Sequence, residues 1–222
     1  MIFAKIDFIN LLPFYIFTKK YISSSQIKQI INYKKSYPSY INRQFKKRKI
    51  DGAFISSIVS KNCNCLDLGI VAKAEVLSVL VLDGENKRDF QSDTSNALAK
   101  VLDIQGEVLI GDKALYYYHN TTNKDFIDLA KLWHDRYDLP FVFARLCINN
   151  HKNYMNSLSK RFINSNIKIP YYILEQYSKK TNLSHKQIKE YLTKISYKIG
   201  YKEKRALKLF FKLLQKDTNG YN

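Results

Sequence analysis

Apolar residues in this chain gather in short runs, and the spacing within each run predicts the element it forms. Residues 2–9, IFAKIDFI, are β-branched and aromatic and read as a buried strand, with Asn10 to Pro13 as the turn at its carboxyl end. SSSQIKQIINYKK, residues 23–35, carries an N-cap followed by apolar positions at helical spacing. A second helix is predicted over YPSYINRQFKKRK, starting near Pro38, because proline is tolerated in a first turn. DGAFISSIVS reads as a short strand entering a serine-rich turn, and LDLGIVAKA and EVLSVLVLD as two further strands. The middle of the chain repeats the alternation. SDTSNALAKVL is a capped helix, GEVLIGDKALYYY a strand and turn, KDFIDLAKLWHDRYD an amphipathic helix, and LPFVFARLCI a strand. Alternation of this kind argues for an α/β fold with parallel sheets. From about residue 152 the pattern is helix after helix, so the tail is expected to pack on a body that is already complete. No repeat or low-complexity linker interrupts the chain.

Composition narrows the class. With 222 residues, of which 45% are hydrophobic, the chain can bury a core as one large domain or two small lobes, which argues against disorder. Lys5 and Asp7 interrupt the first apolar run and no small-residue cleavage site follows it, so no secretory signal is read. No run of 18 or more uncharged apolar residues is present, so a membrane span is not expected either, and the reading is a soluble cytoplasmic protein. The odd number of cysteines, Cys63, Cys65 and Cys147, then reads as reduced thiols. NCNC lacks a second pair at ligand spacing, so no metal site is expected.

The formal charge of +18 would attract any polyanion, nucleic acid included. Against nucleic acid, the lysines are dispersed, and no aromatic residues interleave with the basic runs as a stacking platform. The densest run, QFKKRKI at 44–50, falls where a helix should end and complements its dipole. A solvated basic face is the simpler reading.

Candidate chemistry sits where strands end, since ligands in open α/β sheets bind beyond the carboxyl ends of strands. Asp7 to Asn10, Ser56 and Ser57, Ser78 and Asp112 occupy such places. SDTSN, with Thr94 and Ser95, adds a helix N-terminus able to cradle a carboxylate or phosphate. Each also has a plain structural role open to it: Asn10 in a turn, the serines and SDTSN as caps, and Ser78 bonded to backbone. Nucleophile elbows, dinucleotide glycine motifs, Walker loops and zinc-protease motifs are absent. His119, His134, His151 and His185 fall in polar loops or on helix surfaces.

The order of KIDFINLLPF, DGAFISS, LGIVAKAEVLSVLVL, SDTSNALAKVL, LIGDKAL, DLAKLWHDRYDLPFVFARLCI and YLTKISYKIGYKEKRALKLFFKLL resembles the futalosine-pathway menaquinone biosynthesis family, in its chorismate-dehydrating branch, over nearly the whole chain. The resemblance implies a two-lobed fold like type II periplasmic binding proteins, with a helical C-terminal tail. Lobe one would hold residues 1–77 and 148–222, and lobe two residues 78–147. It implies loss of water from chorismate to give 3-[(1-carboxyvinyl)oxy]benzoate, with no metal or organic cofactor. By position, Asn10 and Ser78 carry over as the catalytic pair. Ser56, Ser57, Thr94, Ser95 and Asp112 are expected around the substrate. Chorismate is the only partner expected, with no nucleic acid and no membrane, and the oligomeric state stays open. The alternatives are a sister enzyme of the pathway, which forms 1,4-dihydroxy-6-naphthoate from a cyclic dehypoxanthinylfutalosine with a histidine base, and a non-enzymatic small-carboxylate binder.

Overall fold

The computed structural model describes residues 1–21, 32–122 and 125–219. Their strands form two sheets. The larger runs β2-β1-β3-β8-β4-β9, made of β1 (Ile2–Lys5), β2 (Asn32–Lys35), β3 (Gly52–Ser56), β4 (Cys65–Ala72), β8 (Phe141–Ile148) and β9 (Ile195–Lys198). The smaller runs β6-β5-β7, made of β5 (Val79–Leu82), β6 (Glu107–Ile110) and β7 (Phe126–Asp128). The α/β class read from the sequence holds, but the pairing is mixed. Only β2-β1-β3 is parallel; β3-β8-β4-β9 and the whole small sheet are antiparallel.

The opening stretch departs from expectation in an informative way. β1 stops at Lys5, and the Ile6 N–H turns to donate to the Tyr15 hydroxyl at 3.1 Å. Asn10 therefore lies in a 3-10 turn, Ile9–Leu11, that runs straight into α1 (Leu12–Tyr21). Pro13 falls in the first turn of α1, where its missing N–H breaks no helical bond. Of the helix expected over 23–35, residues 23–31 lie outside the described residues, and Asn32–Lys35 form a strand paired with β1. The helix starting at Pro38 is found as α2 (Pro38–Lys46).

In the middle, Ser92 caps α3 (Asp93–Val101) by accepting from the Ser95 N–H at 3.2 Å. The expected turn after LIGDK is instead a helix, α4 (Gly111–Asn120). KDFIDLAKLWHDRYD divides into β7 and α5 (Leu129–Tyr137), separated by Asp128 as N-cap. Apart from Arg145, Phe141–Ile148 is apolar on both faces, as suits an interior strand, and β8 accordingly lies between β3 and β4.

Two further expectations are corrected. The tail is not an addition to a finished body. Between α8 (His185–Lys194) and α9 (Tyr201–Asn219) it contributes β9, which completes the large sheet against β4. Cys65 and Cys147 are not free thiols: the antiparallel register of β4 and β8 sets them opposite each other, and they form a disulfide across 82 residues of sequence, while Cys63 stays free. The remaining tail helices are α6 (Lys152–Ile163) and α7 (Tyr171–Thr181).

The core runs through both sheets. Fully buried Trp133 of α5 packs its ring on Phe141 of β8 at 5.2 Å and on Phe210 of α9 at 6.2 Å. The chain passes between the sheets at residues 73–78 and 138–140. Each passage contains a non-glycine residue in the left-handed region, Leu77 at φ 60° and Asp138 at φ 50°. At the first, the Asp128 carboxylate accepts from the N–H groups of Val76 and Leu77 at 2.9 and 2.7 Å. Its other oxygen accepts from Ala130 and Lys131 at the head of α5. One half-buried carboxylate thus fixes the backbone immediately before Ser78.

Candidate active site in the cleft between the sheets

Between the two sheets lies a cavity of ≈ 60 Å³. The large sheet faces it with Phe54 and Ser56 of β3, Ile70 of β4 and Phe143 of β8. Opposite stand Ser78, Ser92 and Ser95. Asn10 enters from the 3-10 turn. Four of the seven residues singled out in the sequence, Asn10, Ser56, Ser78 and Ser95, thus line one cavity.

Ser78 and Asn10 are each held by a tyrosine that the sequence reading did not single out. Tyr191, on the inner face of α8 and 1% exposed, holds its hydroxyl 3.0 Å from Ser78 Oγ. The Asn10 side chain opposes, less strongly, the rise that burial imposes on the pKa of this hydroxyl. Burial pushes the Tyr191 phenol well above its ordinary pKa, so it stays protonated. Tyr197 of β9 completes the grip by donating to the Asn10 carbonyl at 2.6 Å. Asn10 Oδ1 is buried and has no hydrogen-bond partner among the described residues. An unmade acceptor bond of that kind is costly unless something else satisfies it.

Ser56 is held from both sides by Asn42 of α2. Asn42 Nδ2 donates to Ser56 Oγ at 2.8 Å, and the Ser56 N–H donates to Asn42 Oδ1 at 3.1 Å. With its oxygen occupied as an acceptor, Ser56 keeps its own proton for the cavity. Ser95 Oγ likewise accepts from Ser92 Oγ at 2.8 Å. Asn42 was legible in principle: it is a polar residue among the buried positions Ile41 and Phe45 of an amphipathic helix. Tyr191 and Tyr197 carried no such signal, because a tyrosine on a helix face or strand reads as ordinary core.

The other three candidates lie outside the cavity wall. Ser57 donates to the Val142 carbonyl at 2.6 Å and is wholly buried, tying the end of β3 to β8. Thr94 Oγ1 accepts from the Ile58 N–H at 3.3 Å, tying α3 to the same turn. Asp112, in the first turn of α4, accepts from the Ile9 N–H at 3.2 Å and so supports the turn that presents Asn10. Burial raises its pKa to about 6; the Ile9 N–H and Lys180 oppose that rise and the Asp7 charge adds to it. Asp7 behaves in the opposite way. Burial resists its ionisation, but hydrogen bonds from Lys180, Lys35 and Tyr177 hold it well below the carboxylate range.

Of the described residues, no histidine lines the cavity. Among the described residues no group of three or more His, Cys, Asp or Glu is arranged to hold a metal ion, and no helix is long and apolar enough to cross a membrane.

Comparison with known proteins agrees with this architecture. The sequence model of a menaquinone biosynthesis family matches residues 92–216. A chorismate dehydratase of Campylobacter jejuni subsp. jejuni serotype O:23/36 (strain 81-176) is 49% identical over 216 residues, covering 96% of both chains. Among solved structures, a protein of Archaeoglobus fulgidus superposes with a TM-score of 0.68 at 13% identity, covering 98% of this chain and 97% of that one. The periplasmic aliphatic sulphonate binding protein of Escherichia coli superposes with a TM-score of 0.54 at 10% identity, covering 99% and 87%. The fold is that of periplasmic binding proteins, and the chain belongs to the menaquinone biosynthesis family.

Proposed function

We propose that this chain is a chorismate dehydratase and that the cleft between its two sheets is where chorismate loses water to give 3-[(1-carboxyvinyl)oxy]benzoate, a hydro-lyase reaction. The observation that supports it most is that Asn10 and Ser78 line one cleft, with Ser78 held by the buried Tyr191 hydroxyl, in a chain 49% identical to a chorismate dehydratase.

The chemistry asks little of the protein. Loss of the ring proton beside the enolpyruvyl ether and departure of the ring hydroxyl together release one water and leave an aromatic ring, which supplies the driving force. Of the described residues, no histidine or carboxylate lines the cleft. The substrate's own side-chain carboxylate, held close to that proton, is then the base in this reading. Asn10 and Ser78 orient the substrate's oxygens and stabilise the charge that develops on them. If Tyr191, which stays protonated, donates to Ser78 Oγ, then the Ser78 O–H is free to donate to the substrate. Ser56 and Ser95, each already accepting a bond, offer their protons to its carboxylates.

A cavity of ≈ 60 Å³ holds about two waters at roughly 30 Å³ each, whereas small-molecule sites span about 300–1,000 Å³. Substrate entry therefore requires the sheets to part. In this reading they belong to two lobes, the first built on the large sheet and the second on the small one, hinged at residues 73–78 and 138–140.

The test is incubation of purified protein with chorismate, followed by mass analysis for a product lighter by one water. A parallel incubation with cyclic dehypoxanthinylfutalosine addresses the sister reaction, which the absence of a cleft histidine disfavours. Turnover of the second compound alone would overturn the proposal.

A further inference from the structure

A second groove, of ≈ 810 Å³, is lined by Pro13, Lys73 and residues of the tail. Its floor is apolar, with Phe162 and Leu192 among its residues, and its charged lining is Lys73, Lys168, Lys189 and Lys198, without a single carboxylate. These lysines come from four separate places: the passage after β4, the α6–α7 connection, α8 and the end of β9. The nearest acid in the chain to Lys73, Glu75, is already engaged by Lys194 at 2.5 Å. Like charges converge here although ion pairs were within reach elsewhere on the surface, as Lys204 with Asp67 shows. The arrangement raises local potential over an apolar floor, which favours an anion with a hydrophobic body. A second copy of this chain is a poor occupant, since it carries the same +18 charge.

We propose that this groove is a binding site, distinct from the cleft, for a small amphipathic anion: an aromatic or alicyclic body bearing a carboxylate or sulfonate. Its volume falls within the range of small-molecule sites. The ring of the ligand packs between Phe162 and Leu192, and the lysines, all exposed at their tips, meet its charge. Tyr197 lines this groove and touches the cleft only through Asn10, to whose carbonyl its hydroxyl donates.

Anilinonaphthalene sulfonate is a direct probe, and its fluorescence reads binding without any turnover assay. Titration into the full-length protein should give saturable binding that weakens at high salt. In the pair Lys73→Glu, Lys189→Glu, affinity should fall about tenfold or more, as expected when like charges replace complementary ones. The control pair Lys202→Glu, Lys208→Glu changes net charge by the same amount on α9, outside the groove, and should leave affinity within about twofold. Thermal melts of both preparations identify any signal that comes from unfolding. Equal loss in the two pairs would show attraction to net charge only, and unsaturable binding would show no site; either result overturns the proposal. A loss confined to the groove pair supports it. Chorismate turnover is a separate readout, so failure here leaves the assignment of the cleft standing.

Discussion

The Tyr191 hydroxyl lies 3.0 Å from Ser78 Oγ while Tyr197 donates to the Asn10 carbonyl at 2.6 Å, so two tyrosines from the tail hold the two cleft residues, one each. Tyr191→Phe keeps the ring and its packing but leaves Ser78 without that partner. We expect kcat on chorismate to fall by about 10- to 100-fold with a stability loss of ~1–3 kcal/mol. Steady-state kinetics together with urea unfolding measure both. Full turnover in a folded Tyr191→Phe protein would show that the phenol does not position Ser78.

Asn10→Ala and Ser78→Ala each remove a small polar group at the cleft and leave the apolar core untouched. Turnover should drop on the order of 100-fold or more in each, as for loss of one preorganised donor. Asn10→Ala should melt near the parent protein, while Ser78→Ala, which leaves the buried Tyr191 hydroxyl without its partner, should still fold but lose ~1–3 kcal/mol of stability. Near-normal turnover in both would place the chemistry elsewhere.

Ser56 and its sequence neighbour Ser57 should separate cleanly. Ser56→Ala removes a cleft hydroxyl held by Asn42, and its effect should appear chiefly in KM. Ser57→Ala leaves the buried Val142 carbonyl without its 2.6 Å partner and should appear as ~1–3 kcal/mol of lost stability, with the kinetic constants of the folded enzyme unchanged. A large KM effect at Ser57 with no loss of stability would reverse these assignments.

Asp112 links stability to pH. Burial first, together with the Asp7 charge, raises its pKa from an ordinary 3.8 to about 6. Over that window the folded protein binds the proton more tightly than the unfolded chain, so Asp112 costs stability increasingly as pH rises through it. Asp112→Asn stays neutral and keeps an acceptor for the Ile9 N–H. The variant should match the parent near pH 4 and exceed it above about pH 7, by no more than ~3 kcal/mol. Denaturant unfolding across that range reads the difference, and a variant less stable at neutral pH would contradict the account.

Asp128 accepts four backbone N–H groups, two at the passage before Ser78 and two at the head of α5. Asp128→Ala strands all four and removes an N-cap. A loss of about 3 kcal/mol or more is expected, read as a lower midpoint in urea.

Much of the scaffold was written locally. The Ser92 cap, the start of α2 at Pro38 and the interior strand β8 all follow from interactions or periodicities within a few residues, and these the chain displays in order. Asn10 and Ser78 also stood out, as polar residues bordering apolar runs. What the linear pattern could not carry was pairing at long range. Whether a serine faces the cleft or its own backbone separates Ser56 from Ser57, and the answer depends on Asn42 and Val142, brought in by α2 and β8. The disulfide between Cys65 and Cys147 depends on the β4–β8 register, and β9 depends on an open sheet edge beside β4. Tyr191 stands 113 residues from Ser78, and its role exists only because the tail returns to complete the sheet above them. Hydrogen bonds and register act between surfaces, and which surfaces meet is a property of the folded chain, set by burying the whole apolar core at once.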